Sequence, residues 1–153
     1  MKIVSFNVNS LRQRLHQLQS VIDKHAPEFI GLQETKVQDH DFPCEAIAEM
    51  GYEVVFAGQK THYGVALLSR TPCVTPHYGF PDDAEDAQKR FIGGEFNVDG
   101  EKMLIFNGYF PQGESRDHAV KFPAKRKFYA DLISFLKAYD LRDSKLVVMG
   151  DYN

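Results

Sequence analysis

The sequence predicts an α/β fold with a mixed sheet and helices packed against it, and three observations carry that expectation. A short apolar run, an amphipathic stretch and a second apolar run follow one another at the N-terminus. The middle of the chain holds several short strand-like runs separated by turn residues, two of which flank the dipeptide Asp99-Gly100. Near the C-terminus a second helical stripe leads into another apolar run.

Taken in order, Lys2–Asn7 reads as a short buried strand. Leu11, Leu15, Leu18 and Ile22 are spaced four, three and four apart, as one face of a helix requires, with Ser10 placed to cap it. Pro27 ends that pattern, and Phe29–Gln33 supplies a second strand, completing a βαβ-like unit. A short helix over Pro43–Met50 stops at Gly51. Tyr52–Ala57, Gly64–Ser69 and Cys73–Tyr78 follow as short strands. Arg90–Val98 and Lys102–Tyr109 form an antiparallel pair, because Asp99 and Gly100 both tolerate the positive φ that a tight hairpin demands. Phe128, Leu132, Phe135, Leu136 and Tyr139 then make a helical apolar face before the strand Lys145–Gly150. Helices and strands alternate too irregularly for a parallel barrel. No repeat, low-complexity segment or Ser/Gly-rich linker divides the chain.

With 43% hydrophobic and 25% charged residues, the chain falls in the globular range. It lacks a run of about 18 apolar residues, so a membrane partner is not expected. Cys44 and Cys73 stand alone, without C-x-x-C spacing, and suit reduced thiols in the cytoplasm. Eighteen Lys and Arg against 21 Asp and Glu give a net charge of −3, which argues against a non-specific nucleic-acid coat. Any phosphate binding must be local. The six histidines form no pair at zinc-ligand spacing.

Asn7, Glu34, Tyr109 and Asp151 each fall at or just past the end of an apolar strand. Ligands of α/β folds bind outside the carboxyl ends of strands, so the four are expected to converge. Asp151 and Asn153 are two apart and would share a face if the extended backbone continued beyond Gly150. Such oxygen-rich groups suit Mg²⁺ or Mn²⁺, which takes one or two carboxylates and leaves the remaining positions to water and substrate phosphate. Taken singly, each has an ordinary reading as loop, cap or half-buried core residue.

The motifs go further. I-G-L-Q-E-T-K at Ile30–Lys36, N-G-Y-F-P-Q-G-E-S-R-D at Asn107–Asp117 and V-M-G-D-Y-N at Val148–Asn153 resemble the bacterial exonuclease III family of the endonuclease/exonuclease/phosphatase superfamily. S-F-N-V-N at Ser5–Asn9 and H-Y-G-V-A-L-L at His62–Leu68 extend the match over the chain. The resemblance implies the N-terminal part of a four-layer α/β sandwich of the DNase I-like type, with residues 1–153 a single partial domain. It implies a Mg²⁺-dependent nuclease of DNA repair, a 3′-to-5′ exonuclease and apurinic/apyrimidinic endonuclease. The partner would be double-stranded DNA with abasic sites and 3′ ends.

By the same resemblance, Glu34 matches a metal-binding glutamate and Asn7 a metal-shell or supporting residue. Tyr109 matches the active-site tyrosine, Asp151 an aspartate that transfers a proton, and Asn153 an asparagine that steadies the phosphate. Asp151 and Asn153 are also candidates for the metal shell. The family continues past this position with a further aspartate and a Ser-Asp-His motif. Arg90, Gln112, Lys121, Lys125 and Arg126 are the candidate DNA contacts, the last three in a basic run that could equally be a solvated helix face. If the sheet made here packs against a second sheet from the absent part, the chain alone would expose an apolar face, self-associate and be inactive. The competing readings are a superfamily enzyme with a non-DNA substrate and an inert fragment that only binds DNA or a protein.

Overall fold

In the computed structural model, which describes all 153 residues, eight strands and three α-helices alternate along the chain. They are β1 Ile3–Asn7, α1 Leu15–His25, β2 Phe29–Gln33, α2 Cys44–Glu49, β3 Glu53–Ala57, β4 Val65–Ser69, β5 Cys73–Tyr78, β6 Phe91–Val98, β7 Glu101–Tyr109, α3 Lys121–Lys137 and β8 Ser144–Asp151. The strands form two four-stranded sheets, ordered β1-β2-β4-β3 and β5-β6-β7-β8. Each is mixed: β1 with β2 and β7 with β8 are parallel, and the other pairs are antiparallel.

The period-two alternation of side chains sorts each strand between two cores. On β2, Ile30 and Leu32 point outward to Leu18 and Ile22 of α1 and Ile47 of α2, while Phe29 points inward. On β7, Leu104 and Phe106 point outward to Phe128 and Leu132 of α3, while Met103 and Ile105 point inward. The inner faces meet: Phe29, Val65 and Leu67 of the first sheet pack on Ile92, Phe96 and Ile105 of the second, and the Phe29 and Phe96 rings sit edge to face at 4.9 Å. The order helix, sheet, sheet, helix is the four-layer α/β sandwich. Burying each such Leu, Ile or Phe contributes about 1.5–3 kcal/mol to holding the layers together.

Two expectations are corrected here. The second sheet is not supplied from elsewhere, because both sheets lie within these residues and cover each other's inner faces. The face between the sheets is covered, and what stays partly open is the outermost strands, with β1 and β8 side by side. Ser10 does not cap a helix. Its φ is +86° and its side chain makes no capping bond. Instead a single 3-10 turn at Leu11–Gln13 buries Leu11 before α1 begins at Leu15.

Other signals hold closely. Ala26, with φ +44°, closes α1 through its N–H to the Ile22 carbonyl, and Pro27 follows. Asp99 and Gly100 both have positive φ and join β6 to β7 with Val98 opposite Glu101. No helix is long and apolar enough to cross a membrane.

Candidate active site

β1 and β2 run parallel, as do β7 and β8, and their C-terminal ends gather at one rim of the inter-sheet layer. Register places Asn7 beside Gln33 and Tyr109 beside Asp151. Asn7 has the parity of the inward-facing Ile3, Tyr109 that of Ile105, and Asp151 that of Val147 and Met149. All three polar side chains therefore emerge where the inner core ends.

Glu34, one residue past β2, reaches the same place by a different route. Glu34 and Lys36 both have left-handed φ, +54° and +53°, which turns the chain back over the rim. Such residues cost about 1–3 kcal/mol each and persist only where neighbours fix them. The Ser10 and Leu11 N–H groups donate to the Glu34 and Thr35 carbonyls at 2.8 and 3.0 Å, and those of Thr35 and Lys36 donate to the Gly64 and Tyr63 carbonyls at 3.1 and 2.9 Å.

One amide links the two carboxylates. Asn7 Nδ2 donates to Glu34 Oε1 and to Asp151 Oδ2, each at 2.8 Å, and the Asn9 N–H fixes the amide's orientation through Asn7 Oδ1 at 3.1 Å. Lys36 Nζ lies 3.0 Å from Glu34 Oε2 and 2.6 Å from Asn9 Oδ1. Burial would raise the Glu34 carboxyl, but hydrogen bonds from Asn7, Lys36 and Tyr109 outweigh it and hold it below its ordinary value. Burial, reinforced by the Glu34 carboxylate that its hydroxyl addresses, pushes Tyr109 up to about 12. Near neutral pH the hydroxyl is a donor.

Beneath the rim a buried amide pair fastens sheet to sheet. Gln33 Nε2 donates to Asn107 Oδ1 at 2.6 Å, and Asn107 Nδ2 donates to the Leu32 and Ala66 carbonyls at 2.8 and 2.9 Å. Gly31 makes room for it, since a Cβ there would meet the Asn107 carboxamide at 2.8 Å.

Asn153 departs from expectation. The strand stops at Asp151 and Asn153 takes φ +49°, so the two side chains do not continue one extended face. Instead Asn153 Nδ2 donates to the Phe110 carbonyl at 2.9 Å and its N–H to Asp151 Oδ1 at 3.1 Å. Asn153 also borders a cleft of about 390 Å³ lined by Gln112, Gly113, Glu114, Ser115, Arg116, Phe122 and Lys125.

A sequence model described as the Endonuclease/Exonuclease/phosphatase family matches residues 4–153. The chain belongs to that family. It is 50% identical to exodeoxyribonuclease III of Haemophilus influenzae over 153 residues, which is all of this chain and 57% of that protein. The 3′ phosphatase NExo from Neisseria, bound to a product DNA hairpin, superposes with a TM-score of 0.85 at 38% identity, covering 98% of this chain and 56% of that one. An AP endonuclease from Archaeoglobus fulgidus superposes with a TM-score of 0.84 at 32% identity, covering 99% and 57%. The chain thus spans little more than half the length of these family members.

Against that family background, the oxygen donors fit a hard divalent cation. No three His, Cys, Asp or Glu side chains cluster as a metal cage. The rim offers two carboxylates joined by one amide, which is the sparse protein ligation that Mg²⁺ accepts while keeping several waters. Lys36 Nζ, 3.0 Å from Glu34 Oε2, places a positive charge beside that carboxylate.

The candidate DNA contacts separate into groups. Gln112 and Lys125 line the cleft, and Lys125 Nζ donates to the Asn153 carbonyl. Lys121 lies outside it, paired with Glu114, and Arg126 is exposed on α3. Arg90 is half-buried, its guanidinium carbon 4.6 Å from the centre of the Tyr63 ring and 4.7 Å from that of Tyr109. Lys36, Asn9, Tyr63 and the Gln33–Asn107 pair were missed in the sequence. All five residues lie in motifs, Gln33 and Lys36 in Q-E-T-K, Asn9 in S-F-N-V-N, Tyr63 in H-Y-G-V-A-L-L and Asn107 in N-G-Y-F-P-Q-G-E-S-R-D. For Tyr63, an aromatic in an irregular loop carries no periodicity that would assign it a role.

Proposed function

We propose that this chain carries the strand-end half of a Mg²⁺-dependent phosphodiesterase acting on duplex DNA in repair, as a 3′-to-5′ exonuclease and apurinic/apyrimidinic endonuclease, with Mn²⁺ able to substitute. The observation that carries the reading is the single Asn7 amide bridging Glu34 and Asp151 beside the protonated Tyr109 hydroxyl. Glu34 would hold the cation, with Asn7 and Asp151 beside it. When bound, the cation supplies charge neutralisation at a non-bridging phosphate oxygen. Tyr109 donates a hydrogen bond to a phosphate oxygen, a task its retained proton suits. Asp151, oriented by Asn7 and by the Asn153 N–H, accepts or returns a proton at the attacking water or leaving oxygen. The Asn153 amide, now directed at Phe110, would swing to the phosphate once DNA fills the cleft.

Double-stranded DNA would lie along Gln112, Lys121, Lys125 and Arg126, with abasic sites and 3′ ends presented to the rim. Phosphate contacts of this kind position a duplex without reading its bases. The unpaired Cys44 and Cys73 fit a reducing, cytoplasmic setting. These 153 residues alone are proposed to be inactive, because the exonuclease III resemblance places a further aspartate and a histidine beyond them.

The test is release of nucleotides from nicked and abasic duplex DNA, with and without Mg²⁺. It compares this chain with a fusion to the remaining part of the Haemophilus influenzae relative. Mg²⁺-dependent cleavage by the fusion and none by the chain alone is expected. A folded fusion that binds Mg²⁺ and leaves both duplexes intact would contradict the reading.

A further inference from the structure

We infer that Tyr63 is a positioning residue for Tyr109, acting through Arg90 as the middle layer of a tyrosine–arginine–tyrosine stack. The inference rests on the phosphodiesterase reading for its catalytic consequence but on geometry for its existence. Tyr63 belongs to the connection between β3 and β4 of the first sheet, and Tyr109 ends β7 of the second. The Arg90 guanidinium lies 4.6 Å from one ring centre and 4.7 Å from the other. A planar cation can satisfy two ring faces at once, which an ammonium cannot do in the same way.

Every part of the stack is pinned. The Tyr109 N–H donates to the Arg90 carbonyl at 2.7 Å, and Arg90 Nη1 donates back to the Tyr109 carbonyl at 3.1 Å. Arg90 Nε donates to Gln88 Oε1 at 2.6 Å, leaving the guanidinium little freedom to rotate. On the other side, Tyr63 has φ +57° and Gly64 has φ +93°, a turn held because the Gly64 N–H donates to the Lys89 carbonyl at 3.0 Å. The Tyr63 carbonyl in turn accepts the Lys36 N–H at 2.9 Å, next to Glu34. The loop bearing Tyr63 therefore fixes the Glu34 turn through its backbone and the Tyr109 ring through its side chain. Arg90, a candidate DNA contact in the sequence, lies within 4.7 Å of both tyrosine ring centres and spends Nε and Nη1 on acceptors of the protein itself.

Two readouts decide it. In this chain, 3-fluorotyrosine at position 109 should show a fluorine resonance displaced from that of the free amino acid. Tyr63→Ala should move it most of the way back, Tyr63→Phe should keep it, and Arg90→Lys should behave like Tyr63→Ala. In the fusion, Tyr63→Ala should lower kcat about tenfold with KM within about twofold, and Tyr63→Phe should recover most of the loss. A contact to DNA phosphate would instead raise KM and flatten the salt dependence of binding. A resonance unmoved by Tyr63→Ala, a kcat that does not follow the resonance, or a loss confined to KM overturns the assignment. If Tyr63→Ala fails to fold, Tyr63→Phe and Arg90→Lys decide the same question. If the unmodified fusion cleaves nothing, the nuclease reading falls while the fluorine resonance still reports on the stack.

Discussion

The two sheets cover their outer faces with different chemistry. The first lies against α1 and α2 through a core that is largely aliphatic, including Val8, Leu18, Ile22, Ile30, Leu32, Ile47 and Leu68. The second lies against α3 through a core in which five of seven buried residues are phenylalanine. Large rings let one helix cover a sheet, but they need room. Gly93 on β6 provides it, since a Cβ there would meet Phe106 Cδ1 at 2.3 Å. The ring network continues through Phe110, stacked on Tyr152 at 4.3 Å, to the end of β8, so the aromatic core also braces the residues around Asp151. The first sheet meets the same rim with β2, buried at every position, and contributes the anion Glu34. One sheet thus presents the charge and the other the aromatic hydroxyl.

The largest effect should come from the aromatic side. Phe106→Ala is expected to destabilise the chain by about 3–5 kcal/mol in denaturant unfolding, towards the upper end because the flanking Gly93 cannot fill the hole. Leu32→Ala in the aliphatic core should fall in the lower part of the about 2–5 kcal/mol range. Equal losses would remove the distinction between the two cores. Next comes the hydroxyl contributed by the second sheet: Tyr109→Phe in the fusion should lower kcat about a hundredfold, equivalent to about 2.7 kcal/mol, with DNA affinity little changed. A variant with normal turnover would return Tyr109 to the role of a core aromatic.

Asn107→Leu removes the bond from Gln33, which keeps Ser5 Oγ and the Gly31 carbonyl as acceptors, and withdraws the buried donor from the Leu32 and Ala66 carbonyls, for an expected loss of about 1–3 kcal/mol. Stability unchanged from the parent would show that the sheets are joined by apolar packing alone. The smallest effect concerns acid. Because the Glu34 carboxyl is held low in the fold, its stabilisation is present above the unfolded value of 4.5 and is lost as pH falls through the lower folded value. The stability gap between the parent and Glu34→Gln should therefore narrow below about pH 4.5. A gap that widened in acid would reverse the sign assigned here.

The sequence showed the strands and the helical stripes well, because β2, β4 and the Asp99-Gly100 hairpin rest on apolar runs and on turn chemistry that is local. What it could not show is which face of a strand meets a helix and which meets another sheet, since alternation of period two is the same in both cases. That is why one mixed sheet was expected and two were found. Glu34, Tyr109 and Asp151 were legible as strand ends, and Asn7 as their companion. Asn153 does not share an extended face with Asp151, because its left-handed φ ends the run, and Tyr63, although inside H-Y-G-V-A-L-L, showed no role because its contact with Arg90 is formed by distant segments.

The central claim is that the two sheets converge on one cation site. Titrating the isotope-labelled chain with Mg²⁺ and following its backbone amide resonances tests this directly. The account predicts that Asn7 and Glu34 from the first sheet and Tyr109 and Asp151 from the second shift together with a single affinity, and that Glu34→Gln abolishes the response at all four. Shifts confined to one sheet, or confined to the exposed acidic loop around Asp82, Asp83, Glu85 and Asp86, would contradict it.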